Sequence, residues 1–257
     1  MRIRPAAVAG YFYPGEASEL ARDLDLLLSQ PTPVLPGVPK GLIVPHAGYL
    51  YSGAIAARAY LTLTEGDYRR VILLGPAHTK AVRGIALPEW SHYQTPLGRV
   101  ALDTEALQAL DGHHQAHFDD VAHAREHALE VQLPFIQVRL PDALLLPMVV
   151  GAIDARTLAE CLSQLLTEQD LLLISSDMSH FLSEAEAEER DQHTIERILA
   201  LKDDLLGEEA CGAYPINGAL RWAQSHGLSA HLIGRSNSAR ATGDHDRVVG
   251  YAAFAFC

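Results

Sequence analysis

Three short apolar runs in this sequence each lead into a turn that carries a histidine. The residues in these turns are His46, His78 and His180, and Asp177 lies three positions before the last of them. Two or three imidazoles with open coordination positions suit iron(II), copper(II) or zinc, and a further histidine or carboxylate beside them can transfer a proton. The pattern predicts a divalent metal site with His46, His78 and His180 as ligands, and a catalytic role for Asp177 and His180.

A second candidate group lies in a histidine-rich stretch in the middle of the chain. His123, Glu126 and His127 match H-x-x-E-H, the inverted zinc-peptidase motif, in which two histidines bind zinc and the glutamate is the general base. A different pairing places His127 and Glu130 at i and i+3 on one helix face, from which both can point into a pocket. We predict catalytic roles for His127 and Glu130 and keep the zinc peptidase as an alternative.

Strand-length apolar runs alternate with amphipathic helix-length segments along the chain. The predicted strands are 41–44, 71–74, 84–87, 144–150, 171–175, 230–233 and 248–256, and the predicted helices are 16–29, 52–64, 103–110, 125–139, 154–167, 183–201 and 215–226. This alternation predicts an α/β fold, with a single domain over residues 1–257 and a central, mixed or mostly parallel sheet flanked by helices. Because the carboxyl ends of parallel strands share one sheet edge, the three histidine-bearing turns are expected to converge.

Charge and composition argue against several classes of protein. With 20 Lys+Arg against 32 Asp+Glu, the net charge is −12, which does not suit phosphate-backbone binding. The longest apolar runs fall short of the roughly 20 residues that span a bilayer. The cysteines Cys161, Cys211 and Cys257 are widely spaced and form no C-x-x-C pair, which fits a reducing compartment. We expect a cytoplasmic protein that binds neither nucleic acid nor membrane.

Several sequence blocks occur in the order found in a known family. They are AGYFYP at 9–14, VPHAGY at 44–49, LGPAH at 74–78, EHALEVQLPF at 126–135, SSDMSHF at 175–181, TGD at 242–244 and VVGYA at 248–252. In these blocks the sequence resembles the Memo family, and the resemblance extends over nearly the whole chain.

The resemblance implies a fold similar to that of the class III extradiol dioxygenases, non-haem iron enzymes that open catechol rings. The residues that it implies around the equivalent of the dioxygenase metal site are His46, His78, His180, Asp177, His127 and Glu130. Prokaryotic members resemble component B of the AmmeMemoRadiSam system, so an AMME-type domain protein and a radical-SAM protein are the implied partners. The implied function is that of a redox or oxygen-dependent enzyme with iron(II) or copper, or with zinc, acting on an unidentified small molecule or peptide.

One departure from the family pattern concerns the metal ligands. Some members carry an additional metal-binding cysteine in the C-terminal block, whereas residues 236–250 contain none here. The acidic and histidine residues at 244–246 are candidate substitutes, and otherwise the third ligand is His180 or Glu130. A non-catalytic module that binds a peptide or protein in the same cleft is the alternative from a different functional class.

Overall fold

The computed structural model describes residues 2–257. The twelve β-strands of this range are β1 (Ile3–Arg4), β2 (Gly41–Val44), β3 (Arg70–Pro76), β4 (Ile85–Leu87), β5 (His92–Thr95), β6 (Gly98–Ala101), β7 (Ala116–Phe118), β8 (Leu144–Val150), β9 (Asp170–Ser175), β10 (His180–Leu182), β11 (Ala230–Asn237) and β12 (Val248–Phe256). The ten helices of the same range are α1 (Ala17–Leu27), α2 (Tyr49–Tyr60), α3 (Thr104–Leu110), α4 (Asp120–Ala124), α5 (His127–Glu130), α6 (Leu133–Arg139), α7 (Ala155–Leu165), α8 (Glu184–Leu199), α9 (Ala213–Ser225) and α10 (Ala239–Thr242).

The main sheet has nine strands in the order β10-β12-β2-β9-β3-β8-β4-β7, and β11 pairs with β12 outside this path. Strands β2, β9, β3 and β8 are parallel neighbours, whereas β12 and β4 join them as antiparallel strands. The parallel strands are almost entirely buried, as their continuous apolar sequences predict. The predicted α/β fold, with one domain and a mixed, mostly parallel central sheet between helices, is confirmed.

The carboxyl ends of β2, β9 and β3 meet at the same edge of the sheet. These strands are consecutive, with β9 paired to both of the others. His46 follows the end of β2, Asp177 follows β9, and His78 follows β3. The topology therefore brings three chemically active turns side by side, although they are far apart in sequence.

The predicted helix over 125–139 is interrupted. The chain forms the short helix α5, then a bend at Val131 and Gln132, and then α6. Pro134 lies in the first turn of α6, where its missing N–H costs no hydrogen bond, whereas inside a continuous helix it would remove one.

A second, small sheet also forms, with strand order β1-β5-β6. In it, Arg4 lies beside Tyr93. Among the described residues, no helix is both long and apolar enough to cross a membrane.

Candidate metal centre

His46 is buried just beyond β2 and is held by both its backbone and its ring. Its N–H donates to Asp177 Oδ1 at 2.7 Å, and its Nδ1 lies 2.9 Å from Ser175 Oγ. The Ser175 hydroxyl donates its one proton to the Ala128 carbonyl at 2.6 Å, so it accepts from Nδ1. Burial, reinforced by nearby His78, lowers the pKa of His46 to about 3. The ring is therefore neutral, with its lone pair on Nε2.

That lone pair faces a sulfur atom. Cys211 Sγ lies 3.3 Å from His46 Nε2 and accepts from the Asp177 N–H, also at 3.3 Å. The next residue, Gly212, donates its N–H to Ser176 Oγ at 2.9 Å, and a Cβ there would lie only 2.7 Å from Ser176 Cβ. Because residue 212 is a glycine, this segment just before α9 can approach the end of β9 closely. The Cys211 thiol is thereby placed beside His46.

His78 is oriented by the carboxylate of Glu126. Oε1 of Glu126 lies 2.8 Å from His78 Nδ1, and Oε2 accepts the His78 backbone N–H at 2.7 Å. Burial acts to raise the pKa of Glu126, but the hydrogen bonds from His78 and from the Ala128 N–H outweigh it and lower the pKa to about 2. An ionised acceptor requires a proton on Nδ1, which leaves the His78 lone pair on Nε2. Metal-bound histidines are commonly oriented in this way by a carboxylate.

The donor set of this cluster fits a metal ion. One ligand atom each from His46, His78 and Cys211 all lie within 4.8 Å of one another. The donors of a tetrahedral nitrogen and sulfur site lie roughly 3.3–3.6 Å apart, a separation that His46 and Cys211 already have. Burial, followed by the charge of Asp177, raises the pKa of the Cys211 thiol to about 12. A cation binds cysteine as the thiolate, so binding here would release the thiol proton. Small movements of the three side chains would then complete a three-ligand site.

His127 lies against both histidine ligands. Its ring stacks on His78 with the centroids 4.6 Å apart and meets the edge of His46 at 5.3 Å. Its ligand atom also falls in a second group, with His78 and Glu126, whose atoms lie within the same 4.8 Å. Burial, followed by the charges of the other two histidines, lowers the pKa of His127 to about 4. The structure thus brings a neutral imidazole, able to accept a proton, beside the candidate ligands.

Asp177 and His180 lie at the edge of this cluster. The Asp177 carboxylate is buried, and burial raises its pKa, although the His46 N–H and the charge of His180 act in the opposite direction. His180 is close enough to affect the pKa values of His46 and Asp177, but it does not belong to either group of candidate ligand atoms. Its roles as a ligand and in proton transfer, and that of Asp177 in catalysis, stay predictions.

Glu130 faces the N-terminal residues. Its carboxylate is fully buried and lies 2.6 Å from Nη1 of Arg4. It also accepts hydrogen bonds from the backbone N–H groups of Ala7 and Val8 and from the Tyr13 hydroxyl at 2.7 Å. Both oxygens are occupied, and Glu130 is absent from both candidate metal groups. Its catalytic role stays a prediction that these contacts do not support.

The zinc-peptidase interpretation of H-x-x-E-H is wrong. His123 is buried, with Nδ1 2.8 Å from the Tyr93 hydroxyl and Nε2 2.8 Å from the Ala86 carbonyl. Both ring nitrogens are therefore occupied, and neither is free to bind zinc. Glu126, the general base of that motif, is instead bound to His78.

The candidate sulfur ligand lies outside the C-terminal block in which some members of the family carry theirs. Residues 244–246 were the candidate substitutes, but they are exposed and belong to neither metal group. Cys211, in the segment before α9, is the cysteine that could hold a metal together with His46 and His78. A cysteine followed directly by a glycine, just ahead of a predicted helix, was the one signal in the sequence, because such a segment can approach a sheet edge closely.

Comparison with known proteins agrees with this architecture. A family model described as Memo-like protein matches residues 4–255. A "MEMO1 family protein" of Aquifex aeolicus is 36% identical over 270 residues, covering 100% of both chains. Another of that description, from Ignicoccus hospitalis, is 34% identical over 282 residues, covering 100% of this chain and 99% of the relative.

A solved structure shares the fold at low sequence identity. It is the uncharacterized protein JW3007 from Escherichia coli K12, with a TM-score of 0.53 and 11% identity, covering 83% of this chain and 98% of that chain. The family is shown by the full-length sequence matches, and the structural match supports the fold alone. The chain belongs to the family of Memo-like proteins.

Proposed function

We propose that this protein binds iron(II) or copper, with zinc as the alternative, through Nε2 of His46, Nε2 of His78 and Sγ of Cys211. The observation that carries the proposal is that one ligand atom from each of these three residues lies within 4.8 Å of the others. Nδ1 of each imidazole is hydrogen-bonded, which leaves Nε2 as the free nitrogen. A bound metal of this kind supplies Lewis-acid or redox chemistry at the coordination position that three protein ligands leave open.

The surrounding residues have separate tasks in this proposal. Glu126 and Ser175 each accept the Nδ1 proton of one ligand and so hold both rings in place. His127 is neutral and accepts a proton from a substrate group beside the ligands. The Phe12 ring packs against the His127 ring, with the centroids 4.8 Å apart.

We further propose an oxygen-dependent or redox reaction on a small molecule or peptide, carried out with an AMME-type domain protein and a radical-SAM protein as partners. Support for this comes from membership of the Memo-like family and from a donor set with an open coordination position. The fold match alone carries no statement about the reaction.

Metal binding is tested by titrating anaerobically prepared protein with iron(II), copper(I) and zinc in separate experiments. We expect one ion per chain for the wild type and loss of binding in His46→Ala/His78→Ala. Cys211→Ser should weaken binding at least tenfold, because a hydroxyl is a poor substitute for a thiolate. His245→Ala, which changes an exposed histidine outside the cluster, serves as the control. Wild-type protein that takes up none of these metals would refute the proposal.

A non-catalytic binding module is the second candidate. Three large apolar side chains in or directly after the sequence blocks of the family are exposed: Tyr11 is 89%, Leu50 is 77% and Phe181 is 63% accessible. Exposed apolar side chains mark a binding surface where they form a contiguous patch, and this candidate requires such a patch beside the site. If His46→Ala/His78→Ala recovers the AMME-type partner from a pull-down as well as the wild type, binding does not need the metal and this candidate is favoured.

A further inference from the structure

Arg4 is a buried arginine whose side-chain hydrogen bonds all end on one short segment of the chain, residues 123–130. Its side chain is 1% exposed. Nε donates to the His123 carbonyl at 2.8 Å, Nη2 donates to the Glu126 carbonyl at 3.0 Å, and Nη1 donates to Glu130 Oε2 at 2.6 Å. The guanidinium also lies 4.9 Å from the centre of the Tyr93 ring. A single side chain therefore ties the end of α4 to both the beginning and the end of α5.

The segment that Arg4 holds carries the residues that orient the candidate metal centre. Glu126 binds both the ring and the backbone N–H of His78, and His127 stacks on the same ring. The Glu126 carbonyl is bound by Arg4, while its carboxylate is bound by His78. Rotation of this residue would break both contacts, and it would also break the hydrogen bond from the Ala128 N–H to the same carboxylate.

The rest of the N-terminal segment, residues 2–14, packs against helix α5. Glu130 accepts the N–H groups of Ala7 and Val8, and the Phe12 ring contacts His127 at 4.8 Å. The Phe12 carbonyl accepts the Tyr49 N–H at 2.7 Å, which joins the segment to the start of α2. The N-terminal segment thus connects the turn after β2 to the segment that supports His78.

We propose that Arg4 is a positioning residue for the metal centre: it fixes the orientation of Glu126 and thereby holds the His78 ring with Nε2 directed at the ligand cluster. The metal-dependent part of this inference rests on the proposed function. An arginine suits the task because its planar group donates in several fixed directions to three separate acceptors. A lysine would keep the charge opposite Glu130 but could not bind both carbonyls in the same geometry.

The first test measures the metal-free protein, so it does not depend on metal binding. With histidine labelled with nitrogen-15, NMR spectra of the ring nitrogens report which nitrogen of each imidazole is protonated. We expect His78 to carry its proton on Nδ1 in the wild type and to lose this single tautomer in Arg4→Met/Glu130→Gln. The double substitution removes both charges together, so that no unpaired carboxylate is left buried.

The second test measures affinity for zinc by competition with a chromophoric chelator, at a temperature where every variant is folded. Arg4→Met/Glu130→Gln should bind at least tenfold more weakly, because residues that orient metal ligands typically contribute 10–100-fold. Arg4→Lys should have an intermediate affinity. With cobalt(II) in place of zinc, the visible spectrum of the double variant should shift, because the ligand geometry has changed.

A matched control comes from the opposite end of the sheet. Arg70, at the beginning of β3, binds Asp170 at 2.7 Å, Asp103 at 3.0 Å and the Leu165 carbonyl at 2.9 Å. The seven residues of β3 place it about 20 Å from the metal centre. Arg70→Met/Asp170→Asn should lower the melting temperature but leave the zinc affinity and the His78 tautomer unchanged.

The outcomes separate the two proposals. If wild-type protein binds no metal but the Arg4 variant loses the His78 tautomer, the proposed function fails and the positioning role stands. If the Arg4 double variant keeps the wild-type tautomer and a zinc affinity within twofold of wild type, Arg4 only stabilises the fold and the inference is overturned.

Discussion

His46 and His123 are buried, His127 is half-buried, and the fold keeps all three histidines neutral. Burial is the largest cause in each case, and it lowers the pKa to about 3 for His46 and to about 4 for the other two. A histidine with a lower pKa in the folded state stabilises the fold above its unfolded pKa of about 6.5. That stability is lost as the pH falls from there toward the folded pKa, because the unfolded chain binds the proton first.

The free energy of unfolding of the metal-free protein should therefore fall between pH 6.5 and pH 4, by at most about 1.4 kcal/mol per pH unit for each histidine. Urea denaturation in the presence of a chelator measures this slope. His127→Gln should make the slope shallower, since it removes one of the three groups.

His245→Gln provides the comparison for this measurement. The hydrogen bond to Glu184 raises the pKa of His245, so its contribution is present at low pH and is lost as the pH rises. Its removal should not make the slope shallower. An unchanged slope in His127→Gln would show that this ring titrates equally in the folded and unfolded chains.

At the level of single residues, sequence reasoning found His46, His78 and His127 because strand-end turns and helix spacing are local patterns. It missed Cys211 and misassigned His123. Whether a lone cysteine reaches a sheet edge, and whether a buried imidazole has a free nitrogen, depends on neighbours that are distant in sequence. The carbonyl of Ala86 opposite His123 is one such neighbour.

Helix α9, which begins two residues after Cys211, packs closely on α7. Gly218 of α9 faces Leu158 of α7, and a Cβ at Gly218 would lie 2.4 Å from Leu158 Cδ2 and 2.8 Å from Leu158 Cβ. The second distance is to an atom attached to the backbone, which cannot move without shifting the helix. The two helices are therefore packed too closely for any larger residue at this position.

Gly218→Ala should destabilise the protein by about 1–3 kcal/mol through overpacking, although alanine favours a helix by about 1 kcal/mol over glycine. Gly53→Ala is the matched helical control, because its nearest contact is the end of the Leu27 side chain at 3.1 Å. Chemical denaturation should show a much smaller loss for Gly53→Ala. Equal stabilities for the two variants would contradict this account of the interface.

At the level of elements, all seven predicted strands and most predicted helices occur because their hydrophobic periods are strong. The interruption between α5 and α6 was not predicted, since apolar residues at helical spacing continue through it. The small sheet with β1 was also missed. Only two residues form that strand, which is too short for a local pattern to predict it or its pairing with β5.

At the scale of the whole molecule, the three candidate ligands connect distant parts of the chain. His46 follows β2, His78 follows β3, and Cys211 precedes α9. A metal that binds this arrangement has no equivalent site in the unfolded chain, so its binding free energy adds to the stability of the folded state.

Zinc at about 100 times its dissociation constant should raise the free energy of unfolding by about 2.7 kcal/mol. For a chain of this size, each kcal/mol corresponds to roughly 2–4 °C in melting temperature. Calorimetry with and without zinc should show this increase in the wild type and in Cys257→Ser, whose cysteine lies outside the cluster. Cys211→Ser should lose most of the increase, and retention of the full shift would exclude Cys211 as a ligand.

The central position of β9 has a consequence for the dimensions of the centre. Two strand spacings, about 9.6 Å in total, separate the backbones of β2 and β3, and the rings of His46 and His78 close this gap to 5.2 Å between centroids. The intervening strand β9 ends at Ser175, which Ser176 follows, and both have small side chains. The hydrogen bonds of the sheet thus fix the separation of the two backbones that carry the imidazoles. Substitutions at the ligands leave this backbone separation unchanged.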